Sequence, residues 1–217
     1  MPVSLVQGHP VKVKLAVDAA GNVALAWLQK APGDALATSV WVARYAANTQ
    51  RWDSPARVSH GAGVGVDELD LAARPGGDLA VAWRRREMAP GELRDSVWLR
   101  RSDMAADAAW LPGAAGPQRM DEPGSEPGIV LGVSLAMAPA SSGPDARLGV
   151  VWTWMSNYTV QGRVWVRLAD VTGFQPARVV SDVAANRELF GRIAIDSMGV
   201  ATVAWQRLDG DRGSIWS

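Results

Sequence analysis

One pattern occurs four times along this 217-residue sequence, and it leaves few architectures open. A short apolar run, a tight turn bearing glycine and a second apolar run ending on tryptophan make up Lys14–Trp27 (KLAVDAAGNVALAW), Asp70–Trp83 (DLAARPGGDLAVAW) and Arg192–Trp205 (RIAIDSMGVATVAW). The copy from Ser134 to Trp152 has the same two runs, SLAMAP and LGVVW, joined by a longer turn. Each copy reads as a β-hairpin, since short apolar runs bounded by glycine-bearing turn residues favour two antiparallel strands. A second tryptophan follows at Trp41, Trp98, Trp165 and Trp216, within segments of strand composition. The first tryptophan column is spaced by 56, 69 and 53 residues and the second by 57, 67 and 51, so the two keep step and mark one repeating unit.

A fourth segment closes three of the copies: Pro55–Ser59 (PARVS), Pro117–Met120 (PQRM) and Pro176–Val180 (PARVV), preceded by Trp52, Trp110 and Phe174. Four short strands per copy is the blade of a β-propeller. The expected fold is therefore an all-β propeller of four four-stranded blades, over about 11–60, 67–121, 131–181 and 189–217. The last copy ends after its third strand, and the segment PVSLV at Pro2–Val6 resembles PARVS and PARVV. Residues 2–7 are thus expected to complete the last blade and remove an exposed sheet edge. The rival arrangement is a partial ring, completed by a second chain or belonging to a larger propeller. The eight repeat-equivalent tryptophans are expected to fill the space between blades, leaving Trp154 outside the pattern.

Charge and composition exclude several function classes. Lys plus Arg equals Asp plus Glu at 22 each, so no net field draws the chain to nucleic acid. Without cysteine it has no disulfide, thiol nucleophile or Cys-ligated zinc, and His9 and His60 are meagre material for a metal site. No cofactor or metal is therefore expected. No apolar run approaches the roughly 20 residues that span a bilayer, and the start lacks the pattern of a secretion signal. A soluble chain is expected, periplasmic or secreted if a leader has been removed. The 19 arginines against three lysines, with abundant alanine and glycine, fit a bacterial source with a GC-rich genome.

The stretch LAVDAAGNVALAW, with its Asp-x-x-Gly-Asn turn between inner strands, resembles the repeats of bacterial propeller proteins of the sialidase-like and NHL-like kind. The resemblance spans nearly the whole chain and implies the fold; because such repeats serve lectins, lyases and hydrolases alike, it implies no activity. No copy reproduces the sialidase Asp-box Ser-x-Asp-x-Gly-x-Thr-Trp, and the disulfide that closes haemopexin-like four-bladed rings is not possible here.

Candidate ligand residues follow from the repeat. Lys14, Asp70, Ser134 and Arg192 occupy one variable polar column at the start of the inner strands, where they would ring the mouth of the channel, either orienting a polar ligand or satisfying one another. Polar loops after the first tryptophan column gather on the same face and carry Arg84, Trp154, Asn157 and Tyr158, residue types that pack on pyranose faces and pair with hydroxyls. Asp121, Glu122 and Glu126 read as a solvated turn. No Gly-x-Ser-x-Gly elbow, P-loop or dinucleotide fingerprint occurs. These features point to a non-catalytic module that binds a polar small molecule or saccharide. A protein-interaction scaffold is the alternative, and a polysaccharide hydrolase or lyase, which needs convergent carboxylates, is a third reading.

Overall fold

A computed structural model describes residues 8–32, 34–59, 65–74, 78–89, 92–102, 116–121, 128–139, 148–156, 161–170, 172–181 and 187–217. All regular structure among them is β-strand, and no helix is long and apolar enough to cross a membrane. The first repeat forms β1 (His9–Val17), β2 (Val23–Ala31), β3 (Asp34–Ala46), β4 (Arg51–Trp52) and β5 (Ala56–Arg57). The second forms β6 (Gly65–Ala73), β7 (Leu79–Ala89), β8 (Glu92–Ser102) and β9 (Gln118–Arg119). The third forms β10 (Gly128–Met137), β11 (Leu148–Ser156), β12 (Gly162–Asp170), β13 (Gly173–Phe174) and β14 (Arg178–Val179), and the fourth β15 (Arg187–Ile195), β16 (Ala201–Asp209) and β17 (Arg212–Trp216). Within each unit the strands pair antiparallel in chain order, except that β4 and β5 both pair with β3 and β13 and β14 both pair with β12; a single parallel bridge, Gly162 to Arg187, links the third unit to the fourth.

Local sequence explains the hairpins. In the first turn Asp18 Oδ1 accepts from the backbone N–H of Ala20 (2.8 Å) and Asn22 (2.9 Å), and in the fourth unit Asp196 Oδ1 accepts from Met198 and Val200 (both 2.9 Å). Both turns then need a left-handed residue, supplied by Gly21 at φ 80° and Gly199 at φ 85°. The two tryptophan columns meet across the second and third strands of every unit, as Trp27–Trp41, Trp83–Trp98, Trp152–Trp165 and Trp205–Trp216. In the third unit the rings stack with centroids 6.3 Å apart.

A shared device holds the short fourth strands. Val58, Met120 and Val180 donate to the carbonyls of Val40, Val97 and Val164, and the residue after each returns a side-chain oxygen to the same backbone. Ser59 Oγ accepts from Val40 N (2.9 Å), Asp121 Oδ1 from Val97 N (2.8 Å) and Ser181 Oγ from Val164 N (3.0 Å). Asp121 is accordingly a buried cap rather than the solvated turn residue expected; Glu122 and Glu126 lie outside the described residues.

The units stack in chain order, each pressing one apolar face on the next. Ala26, Leu28, Val40 and Val42 of the first unit meet Leu69, Leu71, Leu79 and Val81 of the second. Ala82, Val97, Leu99 and Met120 of the second meet Val130, Val133, Leu135 and Trp152 of the third, and Val151, Val164 and Val166 of the third meet Trp205 of the fourth, with Ile193 and Val203 beside it. Arginines two residues past the second tryptophan tie successive units: Arg100 Nη1 donates to Val58 O (3.3 Å) and Arg167 Nη1 to Met120 O (3.1 Å). Among the described residues no strand of the first unit pairs with one of the fourth. Residues 2–7, expected to join them, lie outside the described residues. Trp216, expected in a blade core, is 44% exposed: among the described residues no unit covers its sheet.

Candidate active site

Each inner strand carries a β-bulge at an equivalent place: register shifts fall between Val11 and Val13, Val66 and Glu68, Val130 and Gly132, and Leu189 and Arg192. A bulge inserts an unpaired residue and re-aims side chains. Here it frees Lys12, Asp67, Leu131 and the Phe190–Gly191 step; Lys12 and Phe190 adopt positive φ, at 45° and 52°. Gly191 is required beside Phe190, since a Cβ there would lie 2.6 Å from Val151 Cγ1.

The expected polar column sits just beyond these bulges, and its members run in a chain from unit to unit. Lys14 Nζ lies 3.1 Å from Asp70 Oδ1, Asp70 Oδ2 accepts from Leu135 N (2.9 Å), and Ser134 Oγ accepts from Ile193 N (3.4 Å). Arg192 Nη1 donates to Gly191 O (3.2 Å) and is exposed. Much of the column's hydrogen-bonding capacity is spent on neighbouring inner strands, and Ser134 is buried.

Charged residues of β6 and β7 form a denser cluster at the bulge. Lys12 Nζ meets Glu68 Oε1 at 2.6 Å and donates to Asp67 O at 3.3 Å. Arg84 Nε donates to Asp67 Oδ1 at 2.5 Å, and its Nη1 donates to the Val130 carbonyl of the next unit. Arg86 bridges Asp67 (Nη1–Oδ2, 3.3 Å) and Asp95 (Nε–Oδ1, 2.9 Å; Nη2–Oδ2, 3.1 Å). The Asp95 side chain is wholly buried and also accepts from Val130 N at 2.8 Å. Its hydrogen bond, aided by its charge and that of Asp67, raises the Arg86 pKa against the opposing pull of burial. Asp67, by contrast, is 41% exposed, with a carboxylate oriented by two guanidinium groups. Glu188 and Arg207 form a second buried pair at 2.7 Å; Glu188 Oε2 has no hydrogen-bond partner among the described residues, and Arg207 lies 3.9 Å over the Trp216 ring.

The structure thus joins Lys14 to Asp70, turns Asp70 and Ser134 each to a backbone N–H of the next inner strand, leaves Arg192 on its own strand beside Gly191 O, and assigns Arg84 differently. Arg84 lies on β7 rather than in a loop, and its guanidinium staples the second unit to the third. Trp154 lies on β11, half-buried, its indole across the start of β10 where Gly128 leaves room: a Cβ there would be 2.5 Å from the ring. Asn157 and Tyr158 lie outside the described residues. Sequence reasoning passed over Asp67, Glu68, Asp95 and Glu188. The available signal was the run Val66–Asp70 (VDELD), three carboxylates in four residues on an inner strand, which an alignment begun at Asp70 cut through.

No protein-family model and no curated protein matches the sequence. Among solved structures the chain is similar to an α-L-arabinanase of Penicillium chrysogenum complexed with arabinobiose, at 11% identity over 90% of this chain and with a TM-score of 0.53. It is also similar to an endo-arabinase of Bacteroides thetaiotaomicron, at 8% identity over 90% of this chain and a TM-score of 0.48. The chain spans 55% of the length of the first and 70% of the second. The first likeness, to an arabinanase, runs against the expectation of a non-catalytic binder. What it shows of this chain directly is its fold, an all-β architecture of the propeller type.

Proposed function

We propose that the chain is the propeller, or part of the propeller, of an enzyme that hydrolyses a polysaccharide, with the acidic run of β6 supplying its reacting carboxylates. The observation that carries this reading is the pair Glu68 and Asp70, both partly exposed, each holding one lysine ammonium of the neighbouring inner strand. Two positions apart on a regular strand they share a face, with Cα atoms roughly 7 Å apart from the rise per residue. Glycosidases place two carboxyl groups about 5–10 Å apart across the scissile bond, one protonating the leaving oxygen while the other assists attack on the anomeric carbon. Asp70 is held by Leu135 N and Lys14, whereas Glu68 touches only the exposed Lys12 amine among the described contacts, so Glu68 is assigned the proton transfer. Lys14, 3.1 Å from Asp70, stands beside this pair as a donor for sugar hydroxyls, and Asp67 precedes Glu68 at the bulge. The arabinobiose-bound neighbour supports a saccharide as the ligand class.

The test is release of reducing ends from arabinan and a panel of other polysaccharides. Glu68→Gln and Asp70→Asn are each expected to lower turnover by about 10²-fold or more, the usual contribution of a positioned acid or base. Absence of cleavage across the panel, or full turnover in both variants, overturns the assignment.

A further inference from the structure

We infer that Gly132 and Phe190 form a sugar subsite beside Glu68, a slot across β10 in which one ring of the substrate lies over Gly132 with a face on Phe190. The inference rests on the reading of Glu68 as proton donor, and it names how the substrate is held there. Two residues before the column of Lys14, Asp70, Ser134 and Arg192 stands a second one, Lys12, Glu68, Gly132 and Phe190. The inner strands follow one another as β1, β6, β10 and β15: Lys12 meets Glu68, Asp70 accepts from Leu135 N, and Ser134 accepts from Ile193 N. At the level of Glu68, therefore, β10 contributes only the Gly132 backbone before Phe190 is reached on β15.

Among the described residues nothing requires glycine at 132. Gly128 and Gly191, on β10 and β15, have no alternative: a Cβ would lie 2.5 Å from the Trp154 ring and 2.6 Å from Val151 Cγ1. Gly132 has no positive φ, and a Cβ built on it meets nothing within 4 Å among the described residues. Its backbone is buried in the sheet, yet the direction its side chain would take is free. A glycine inside a strand is destabilising relative to alanine and often marks the close approach of a ligand.

Phe190 supplies an independent observation. Its φ of 52° lies in the left-handed region, an outlier for a bulky side chain, and it is 51% exposed although aromatic. Strain of this kind collects at ligand clamps, where the surrounding fold holds a residue ready for its partner. Gly191 provides that hold, its N–H donating to Thr153 Oγ1 of the third unit at 3.1 Å. A sugar ring has the chemistry such a slot accepts: an apolar face for Phe190 and hydroxyls for the exposed Arg192, two residues further along β15.

The test is steady-state cleavage of arabinan, or of the panel polysaccharide the wild type cuts best, by variants at both positions. Gly132→Leu is expected to raise KM at least about tenfold by filling the slot, with Gly132→Ala between it and the wild type, while melting temperatures do not fall. Phe190→Asn, which suits left-handed backbone better than phenylalanine, is expected to raise KM about 2- to 10-fold at unchanged kcat, and Phe190→Trp to retain the wild-type value. Wild-type KM in Gly132→Leu or in Phe190→Asn overturns the inference, as does a fall in kcat alone or a Gly132→Leu chain that melts early. If the wild type cuts nothing, the hydrolase reading falls by itself, and the slot is tested by tryptophan fluorescence with arabinobiose and its longer oligomers. Binding weakened by both substitutions keeps it; no binding by the wild type, or binding that both substitutions leave unchanged, overturns it.

Discussion

Asp95→Ala tests whether the charged cluster at the bulge holds the second and third units together. The wild-type carboxylate is wholly buried, pairs with Arg86 through two hydrogen bonds and caps Val130 N across the unit boundary. Truncation leaves the Arg86 guanidinium without its buried partner and the Val130 N–H unsatisfied, and breaking a buried pair on one side costs about 3–5 kcal/mol. For a protein of this size each kcal/mol is worth roughly 2–4 °C, which places the fall in melting temperature at roughly 6–20 °C. Asp67→Ala is the internal control, because Asp67 binds the same two arginines from a side chain 41% exposed, where ion pairs contribute about 0–1 kcal/mol. Thermal and urea denaturation of both variants, completed by a double-mutant cycle with Arg86→Met, separates the pair from its surroundings. Equal losses for Asp95→Ala and Asp67→Ala would refute the argument from burial, as would a cycle with no coupling between Asp95 and Arg86.

Two further outcomes follow from named contacts. Removing the caps of the fourth strands is expected to cost about 1–3 kcal/mol at Asp121→Ala, since Val97 N–H is left buried and unpaired; Ser59→Ala and Ser181→Ala act in the same direction, and hydrogen exchange should quicken at Val40, Val97 and Val164 in the matching variants. In the turn after β12, the Thr172 hydroxyl and backbone N–H, with Gln175, hold the Asp170 carboxyl below its ordinary value of 3.8. A depressed folded pKa means that the turn gains stability above the unfolded value and loses it as pH falls through the folded one, so a carboxyl NMR titration of Asp170 should have its midpoint below 3.8, and a midpoint at or above it would contradict these contacts.

How far the sequence led depended on the range of the interactions concerned. The hairpins were legible because everything that makes them is local: Asp18 bonds to residues two and four ahead, and Gly21 supplies the one conformation the turn needs. The paired tryptophan columns were legible for the same reason, since Trp27 and Trp41 face each other across a single hairpin. The bulges were not, because one extra residue in an apolar strand changes neither composition nor turn signals. Arg84 shows the consequence. Read as a loop residue free to meet a ligand, it is buried by Val130, 46 positions away, and by Asp67, which a bulge turns toward it.

The variable column teaches the complementary lesson. Lys14, Asp70, Ser134 and Arg192 differ in charge although the backbone around them repeats, because each faces a different neighbour: an ammonium meets a carboxylate, a carboxylate meets a backbone N–H, and a hydroxyl meets the next. A repeat fixes where such side chains stand but not what they meet, and chemistry depends on what they meet. The variation that first suggests a ligand is therefore required in part by the stacking itself. What remains for a substrate is the surplus, the partly exposed carboxylates of Asp67, Glu68 and Asp70 and the exposed Arg192, none of which a single repeat viewed alone would distinguish from its counterparts.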